Sequence, residues 1–112
     1  MQNYEFRRVY SKGRSAATSR LVLYALRNFK GDTRFGISVS AKIGNAVARN
    51  KIRRRCKEFF RTSPESFKAS YDYIAVARLP AAAAEYRELS RDLTYLADKL
   101  AKLPPKTAKP KL

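Results

Sequence analysis

Residues 41–61 read AKIGNAVARNKIRRRCKEFFR, and this stretch predicts the helix around which the rest of the fold is arranged. Asn45 can cap its N-terminus, and Thr62-Ser63-Pro64 ends it, because the residue before a proline disfavours the helical region. One face is the apolar stripe of an amphipathic helix. That stripe repeats at i, i+4, i+7 and i+8 and consists of Ile52, Cys56, Phe59 and Phe60.

Two predicted strands flank this helix. Residues 34–42 (RFGISVSAK) alternate between an apolar face and a small, polar face, which is typical of a half-buried strand. Residues 71–78 (YDYIAVAR) form a second strand, for which Ile74 and Val76 are the expected core face. Strands joined by a helical crossover are expected to run parallel.

The remaining segments supply further helices and strands. Residues 6–13 carry a short helical stripe that a glycine can end. Residues 19–28 favour a strand, a further short strand could lie in SAATS (15–19), and a leucine-striped helix is expected from Pro80 onward. The sequence therefore predicts a small α/β domain over 1–103, with a mixed sheet covered by helices on one face. The Pro/Lys-rich tail, 104–112, is expected to be disordered.

The net charge of +16 is unusual for 112 residues, since 25 Lys and Arg stand against 9 Asp and Glu. Such an excess indicates an anionic partner, nucleic acid first and an anionic membrane surface second. No apolar run is long enough to span a membrane, and the N-terminus lacks the apolar stretch of a signal peptide. Together with a single cysteine, these features predict a cytoplasmic protein.

Residue content also argues against a self-sufficient enzyme. The chain has no histidine, the commonest general base, and a lone cysteine without one is a poor nucleophile. We therefore predict no catalytic and no metal-binding residues in the protein. Four acids at helical spacing are expected to form a solvated helix face, namely Glu85, Glu88, Asp92 and Asp98.

The polar face of the central helix is almost entirely cationic. Seven basic residues and one acid, Glu58, lie between Arg49 and Arg61. Like charges one helical turn apart destabilise a helix by a few tenths of a kcal/mol each. A solvated charged face is the usual alternative, but such faces mix signs, so nucleic-acid binding is the stronger interpretation. Asn50 lies on this face and is interpreted as a polar contact to a base edge or a sugar hydroxyl, whereas Asn45 is interpreted mainly as a cap.

A second candidate surface is aromatic. Phe6, Tyr10 and Tyr24 are interleaved with basic residues, a combination that binds single-stranded nucleic acid by stacking in a basic groove. For Phe6 a place in the core is an equally good interpretation. Tyr24 should share a sheet face with Gly36 and Ser38, which would leave room for an extended ligand.

The motif in residues 42–57 resembles the signature of the protein subunit of bacterial ribonuclease P. That signature has a Lys shortly before Gly-Asn-Ala-Val, then Arg-Asn and further basic positions. The resemblance extends from FRRVYSKG through VLYAL, FGISVS and DYIAVAR to the last helix. It differs at the start, because family members usually carry a basic Arg-Leu extension before the first helix, so contacts from that extension are expected to be missing or supplied otherwise.

The resemblance implies an α/β fold like one domain of a small-subunit ribosomal protein, with a left-handed βαβ crossover in place of the usual right-handed one. It also implies a ribonucleoprotein in which one protein copy joins a catalytic RNA. The RNA, with Mg²⁺ bound mainly by itself and none held tightly by the protein, removes the 5′ leader of precursor tRNA. RNA-subunit contacts are implied for Lys42, Asn45, Arg49, Asn50, Arg53, Arg54, Lys57 and Arg61. Leader contacts are implied for Phe6, Tyr10, Lys12, Tyr24 and Ser38.

Two other interpretations of the residues stay open at this point. A ribosomal or other structural RNA-binding protein would use the same basic helix without contacting a substrate. A stand-alone nuclease would cleave RNA without an RNA subunit.

Overall fold

The structure, a computed structural model, describes residues 2–103. The tail predicted to be disordered, 104–112, lies outside the described residues. Three helices and four strands follow in the order α1–β1–β2–β3–α2–β4–α3. The helices are α1 (Asn3–Lys12), α2 (Ala46–Thr62) and α3 (Tyr86–Ala101), and the strands are β1 (Arg14–Ala17), β2 (Leu21–Arg27), β3 (Arg34–Ser38) and β4 (Tyr71–Ala77).

The four strands form one mixed sheet in the order β1-β2-β4-β3. β1 pairs with β2 and β2 with β4 in antiparallel fashion, while β3 and β4 are parallel, as predicted for the strands on either side of α2. The short strand expected in SAATS exists as β1. β3 lies at an edge of the sheet, beside α2 in the chain.

The main core lies between the sheet and the pair α2 and α3. The predicted stripe of α2 is buried there in full, and the four leucines of α3 pack against it. From β4 this core receives Tyr73, Ala75 and Ala77. The prediction that Ile74 and Val76 form the core face of β4 was therefore wrong for this core. Those two residues point to the other face, because successive side chains of a strand alternate.

Helix α1 covers that other face of the sheet, which corrects the expectation of helices on one face only. Val9 packs with Leu26 and Ile74 in a second, smaller cluster, and Phe6 and Tyr24 lie against it. β4 is thus apolar on both faces because helices cover both.

Two predicted boundaries were wrong. The strand expected over 34–42 ends at Ser38, because the Ser40 hydroxyl accepts a hydrogen bond from the Lys42 backbone N–H (3.1 Å) and starts a 3₁₀ turn over Ala41–Ile43. Pro80 begins no long helix and lies in a 3₁₀ turn, Leu79–Ala83. α3 starts at Tyr86, where Glu85 and Glu88 form a reciprocal capping box.

The acidic segment of α3 is only partly the solvated face that was expected. Asp92 is buried, and together with Glu88 it holds the guanidinium of Arg20, at 3.1 Å in each case. This pair of carboxylates fastens the turn between β1 and β2 to α3. Asp98 is exposed, as predicted, and pairs with Lys102.

A polar network ties α1 to the sheet. Arg34 binds Asp72 through two parallel hydrogen bonds and binds Glu5 of α1 at 2.6 Å, and Asn28 donates to Asp72 at 2.8 Å. Burial raises the pKa of Asp72, but the hydrogen bonds from Arg34 and Asn28 outweigh this effect and lower it. Backbone and Arg34 hydrogen bonds lower the pKa of Glu5 to about 2.

Candidate nucleic-acid interface

The cationic surface is built on α2. The Asn45 side chain accepts a hydrogen bond from the Ala48 N–H (2.9 Å), which confirms the predicted cap and fixes where the helix begins. Because the apolar stripe turns one face into the core, the opposite face must carry the basic residues. Of the predicted RNA-contacting residues, five line one cleft of about 450 Å³ together with Glu58, namely Asn50, Arg53, Arg54, Lys57 and Arg61.

The other three predicted residues precede this cleft. Lys42 is exposed in the 3₁₀ turn, Asn45 is exposed at the cap, and Arg49 is half-buried in the first turns of α2. The Arg49 Nε is buried and has no hydrogen-bond partner among residues 2–103. A buried donor without a partner is costly, so this guanidinium is not stabilised by its own fold in the way that Arg34 is.

Few carboxylates neutralise the cationic face. Glu58 accepts two hydrogen bonds from Arg61, which lower the pKa of Glu58 and keep it charged. Arg53 donates to the side-chain oxygen of Asn50 (3.2 Å), and within the described chain neither Arg53 nor Lys57 forms an ion pair. The cationic side chains of this surface therefore keep N–H donors that no protein acceptor uses. Phosphate oxygens are suitable acceptors for them.

The aromatic residues come together on the other side of the sheet. The rings of Phe6 and Tyr10 lie 6.2 Å apart and those of Tyr10 and Tyr24 lie 4.9 Å apart, both edge to face. The half-buried ring of Phe6 packs on the small core, as one of its two interpretations expected, and its edge-to-face contact with Tyr10 also makes it part of this cluster. Tyr10 keeps 37% of its surface exposed.

The pairing of the strands gives the face that was predicted for Tyr24. Tyr24 is opposite Ile74, which is opposite Gly36, and Ser38 lies one step further along the same face. Ser38 is half-buried and stands two strands away from Tyr24, so it lines the same surface without belonging to the aromatic cluster. Lys12 is exposed in the last turn of α1.

Cys56 was interpreted as a packing residue, and its surroundings agree. Its side chain is fully buried in the main core, and this burial raises the thiol pKa to about 12. A thiol that stays protonated is a poor nucleophile at neutral pH. Among residues 2–103, no three side chains of His, Cys, Asp or Glu lie close enough together to hold a metal ion.

Sequence reasoning missed several exposed apolar residues. Val47 keeps 66% of its surface exposed in the first turn of α2, beside the cap. Phe29 is 73% exposed at a positive φ of 60°, with the Arg27 guanidinium over its ring. The apolar periodicity of α2 could have identified Val47, because it lies outside the buried stripe, whereas nothing in the sequence indicates the backbone conformation of Phe29.

The ribonuclease P family model matches residues 1–101 of the chain. The chain belongs to the ribonuclease P protein family. Among curated relatives, the ribonuclease P protein component of Clostridium novyi is 42% identical over 97 residues, which cover 85% of this chain and 86% of the relative. That of Natranaerobius thermophilus is 38% identical over 98 residues, covering 88% of this chain and 85% of the relative.

Solved structures give the same family. The ribonuclease P protein of Staphylococcus aureus superposes with a TM-score of 0.81 at 38% identity, covering 91% of this chain and 93% of that one. The Thermotoga maritima protein superposes with a TM-score of 0.77 at 22% identity, covering 89% of this chain and 92% of that one, which supports the fold alone. The mixed α/β fold and the family expected from the residues of the α2 motif are thereby confirmed.

No helix among the described residues has the length and apolar character that spanning a membrane requires.

Proposed function

We propose that this chain binds the catalytic RNA of ribonuclease P through α2 and holds the 5′ leader of precursor tRNA on the opposite side of the sheet. It thereby assists the endonucleolytic removal of the leader that makes the mature tRNA 5′ end. The observation that carries this proposal is the placement of two different surfaces on the two faces of one sheet. One is the cationic face of α2, and the other is the aromatic cluster of Phe6, Tyr10 and Tyr24.

The α2 surface is suited to a folded RNA. Its cations repel one another, and the apolar stripe on the opposite side holds them in a fixed array. Phosphate oxygens would relieve that repulsion, and each phosphate neutralised would release about 0.7 to 0.9 counterions. The side-chain amide of Asn50 can contact a base edge or a sugar hydroxyl while its arginine neighbours hold phosphates.

The aromatic cluster is suited to a single strand. Every base has a face that can stack on a ring, and such a contact contributes about 1–3 kcal/mol per base. Tyr10 and Tyr24 are accessible enough for such stacking. Gly36 and Ser38 on the neighbouring part of the sheet are small, so their side chains leave room for the strand. Exposed Lys12 would hold a leader phosphate at the end of α1.

In this proposal the RNA subunit carries out the chemistry, with Mg²⁺ bound mainly by RNA. The protein contributes charge neutralisation, which lets two polyanions approach each other, and it positions the leader. One protein copy would act with one RNA in the cytoplasm.

The first experiment measures 5′ processing of precursor tRNA by ribonuclease P RNA at low Mg²⁺, with and without the protein. We expect strong stimulation, because the protein lowers the requirement for cations. Absence of stimulation would remove the central part of the proposal. Cleavage by the protein alone with Mg²⁺, after removal of co-purified RNA, would instead favour a stand-alone nuclease.

A second experiment separates the leader contact from general RNA binding. Tyr24→Ala should weaken binding of precursor tRNA by the holoenzyme about tenfold, while binding of mature tRNA hardly changes. Tyr95→Ala on α3 is the matched control, because Tyr95 is an exposed tyrosine outside both surfaces. Equal losses for the two tRNAs would support a structural RNA-binding protein without a substrate role.

A further inference from the structure

Helix α2 and the edge strand β3 enclose a groove that the family resemblance did not indicate. Its volume is about 580 Å³, which lies within the range of pockets that hold small ligands. The groove is on the α2 side of the sheet, so it is separate from the aromatic cluster beneath α1. The lining residues are Phe35, Ile37, Arg53, Lys57, Phe60 and Arg61.

The floor of the groove is apolar and firmly held. The rings of Phe35 and Phe60 stack at 4.3 Å with an interplanar angle of 14°, and Phe67 packs edge to face against both. Phe35 and Ile37 are only half-buried, so part of this apolar surface faces the groove. Their neighbour Ser38 points to the opposite face, because side chains alternate along β3.

The rim of the groove is cationic. Arg53, Lys57 and Arg61 stand above the aromatic floor, and no carboxylate of the described chain lines the groove itself. The same three residues also line the neighbouring cleft of the α2 surface. The groove is therefore continuous with the surface proposed to bind the RNA subunit.

We infer that this groove receives one unpaired base of the ribonuclease P RNA, with the flanking phosphates held by Arg53 and Lys57. This inference rests on the proposed function of α2. A planar base matches the apolar floor, and its phosphates match the rim. In a duplex the base faces are stacked and no nucleotide projects from the helix. A bulged or looped nucleotide projects and exposes the face of its base.

The test of the groove itself uses small probes and the isolated, full-length protein. Adenosine 5′-monophosphate and ribose 5-phosphate, each at millimolar concentration, are titrated into ¹⁵N-labelled protein. We expect the adenylate to shift the backbone amides of Ile37 and Arg53, whereas ribose 5-phosphate shifts only amides on α2. Identical shifts from both probes, or no shift at Ile37 with the adenylate, would overturn the inference.

The test in the complex measures affinity for the RNA subunit at several salt concentrations. Ile37→Phe should fill the groove and weaken binding about tenfold with an unchanged salt dependence, because it displaces an uncharged base and leaves the phosphate-binding cations in place. Lys57→Gln should instead reduce the log–log salt slope by about one. Two matched controls are Lys51→Gln, which removes a charge from the same helix outside both clefts, and Thr94→Phe, which adds a ring to an exposed position of α3.

The outcomes separate this inference from the proposed function. Wild-type affinity in a folded Ile37→Phe protein would rule out the RNA subunit as the occupant, while RNA binding by α2 would stand. If Ile37→Phe does not fold, Ile37→Ala removes part of the apolar floor instead, and it should also weaken binding of the RNA, by a smaller factor and with an unchanged salt slope. If the wild-type protein fails to bind the RNA at all, the proposed function fails, and the adenylate titration still tests the groove by itself.

Discussion

Arg34 and Asp72 form a bidentate pair across two parallel strands, with Nε to Oδ1 at 2.8 Å and Nη2 to Oδ2 at 2.7 Å. The Asp72 side chain is only 2% exposed, so its charge depends on this partner. Arg34→Met should lower the free energy of unfolding by about 3 kcal/mol, because it leaves a buried carboxylate uncompensated. Urea denaturation at pH 7 measures this loss, and Arg91→Met, an exposed arginine on α3, should change stability little. Equal losses in the two variants would contradict the role of the pair.

The same network predicts how stability depends on pH. Glu5 has a pKa of about 2 in the folded protein and an ordinary value of 4.5, and the pKa of Asp72 is also lowered. Because these pKa values are lower in the folded protein, the unfolded chain binds protons at a higher pH than the folded chain does. The stability is therefore complete above about pH 5 and decreases as the pH drops toward 2. Glu5→Gln should reduce this acid sensitivity between about pH 4.5 and 2, as measured by urea midpoints across that range. An unchanged pH profile in the variant would exclude Glu5 as a contributor.

Gly13 lies where the end of α1 meets β2. A Cβ there would stand 2.6 Å from the Val9 carbonyl oxygen and 2.7 Å from that of Ala25. Gly13→Ala should therefore destabilise the protein by about 1–3 kcal/mol, since neither backbone can move away without disturbing its helix or strand. Thermal melting measures the effect. Ser11→Ala, an exposed position in the same helix, should leave the melting temperature nearly unchanged.

Two substitutions of Asn45 separate helix capping from RNA binding. Asn45→Ala removes the acceptor for the Ala48 N–H and should cost about 1 kcal/mol of stability. Asn45→Asp keeps the acceptor and adds a negative charge, so it should preserve stability but weaken RNA binding. Denaturation and RNA affinity are measured on both proteins. Undiminished affinity of Asn45→Asp for the RNA would place the start of α2 outside the interface.

Cys56 offers a simple check of the main core. Since the thiol is buried and its pKa is about 12, it should resist iodoacetamide at about pH 8 in native protein and react readily in urea. Mass spectrometry of the alkylated protein measures the reaction. Rapid labelling of the folded chain would show that α2 does not pack as described.

Local periodicity explains why most of α2 was predictable. The positions of Ile52, Cys56, Phe59 and Phe60 repeat with the helical period, and each is buried as expected. The face of Tyr24 was equally accessible, because strand alternation is a local rule. Its contact with Tyr10 depends on where α1 docks, which the strand pattern does not indicate.

Contacts between distant residues could not be obtained in this way. Arg34 meets Glu5 and Asp72 across 29 and 38 positions of sequence, and no spacing rule relates them. Arg20 finds Asp92 across 72 positions, which is why an acid predicted to be solvated is in fact buried. The groove beside β3 depends in the same way on how closely α2 approaches an edge strand.

The internal ion pairs have a further consequence for behaviour in a cell. Of the nine acidic residues, seven take part in ion pairs within the described chain, and only Asp32 and Glu65 do not. The folded chain therefore presents almost only positive charge to its surroundings. Its association with RNA would be driven by small cations returning to bulk solution, and any RNA can supply those. Discrimination among RNAs would then have to come from the uncharged contacts, namely the Asn50 amide and the apolar floor of the groove beside β3.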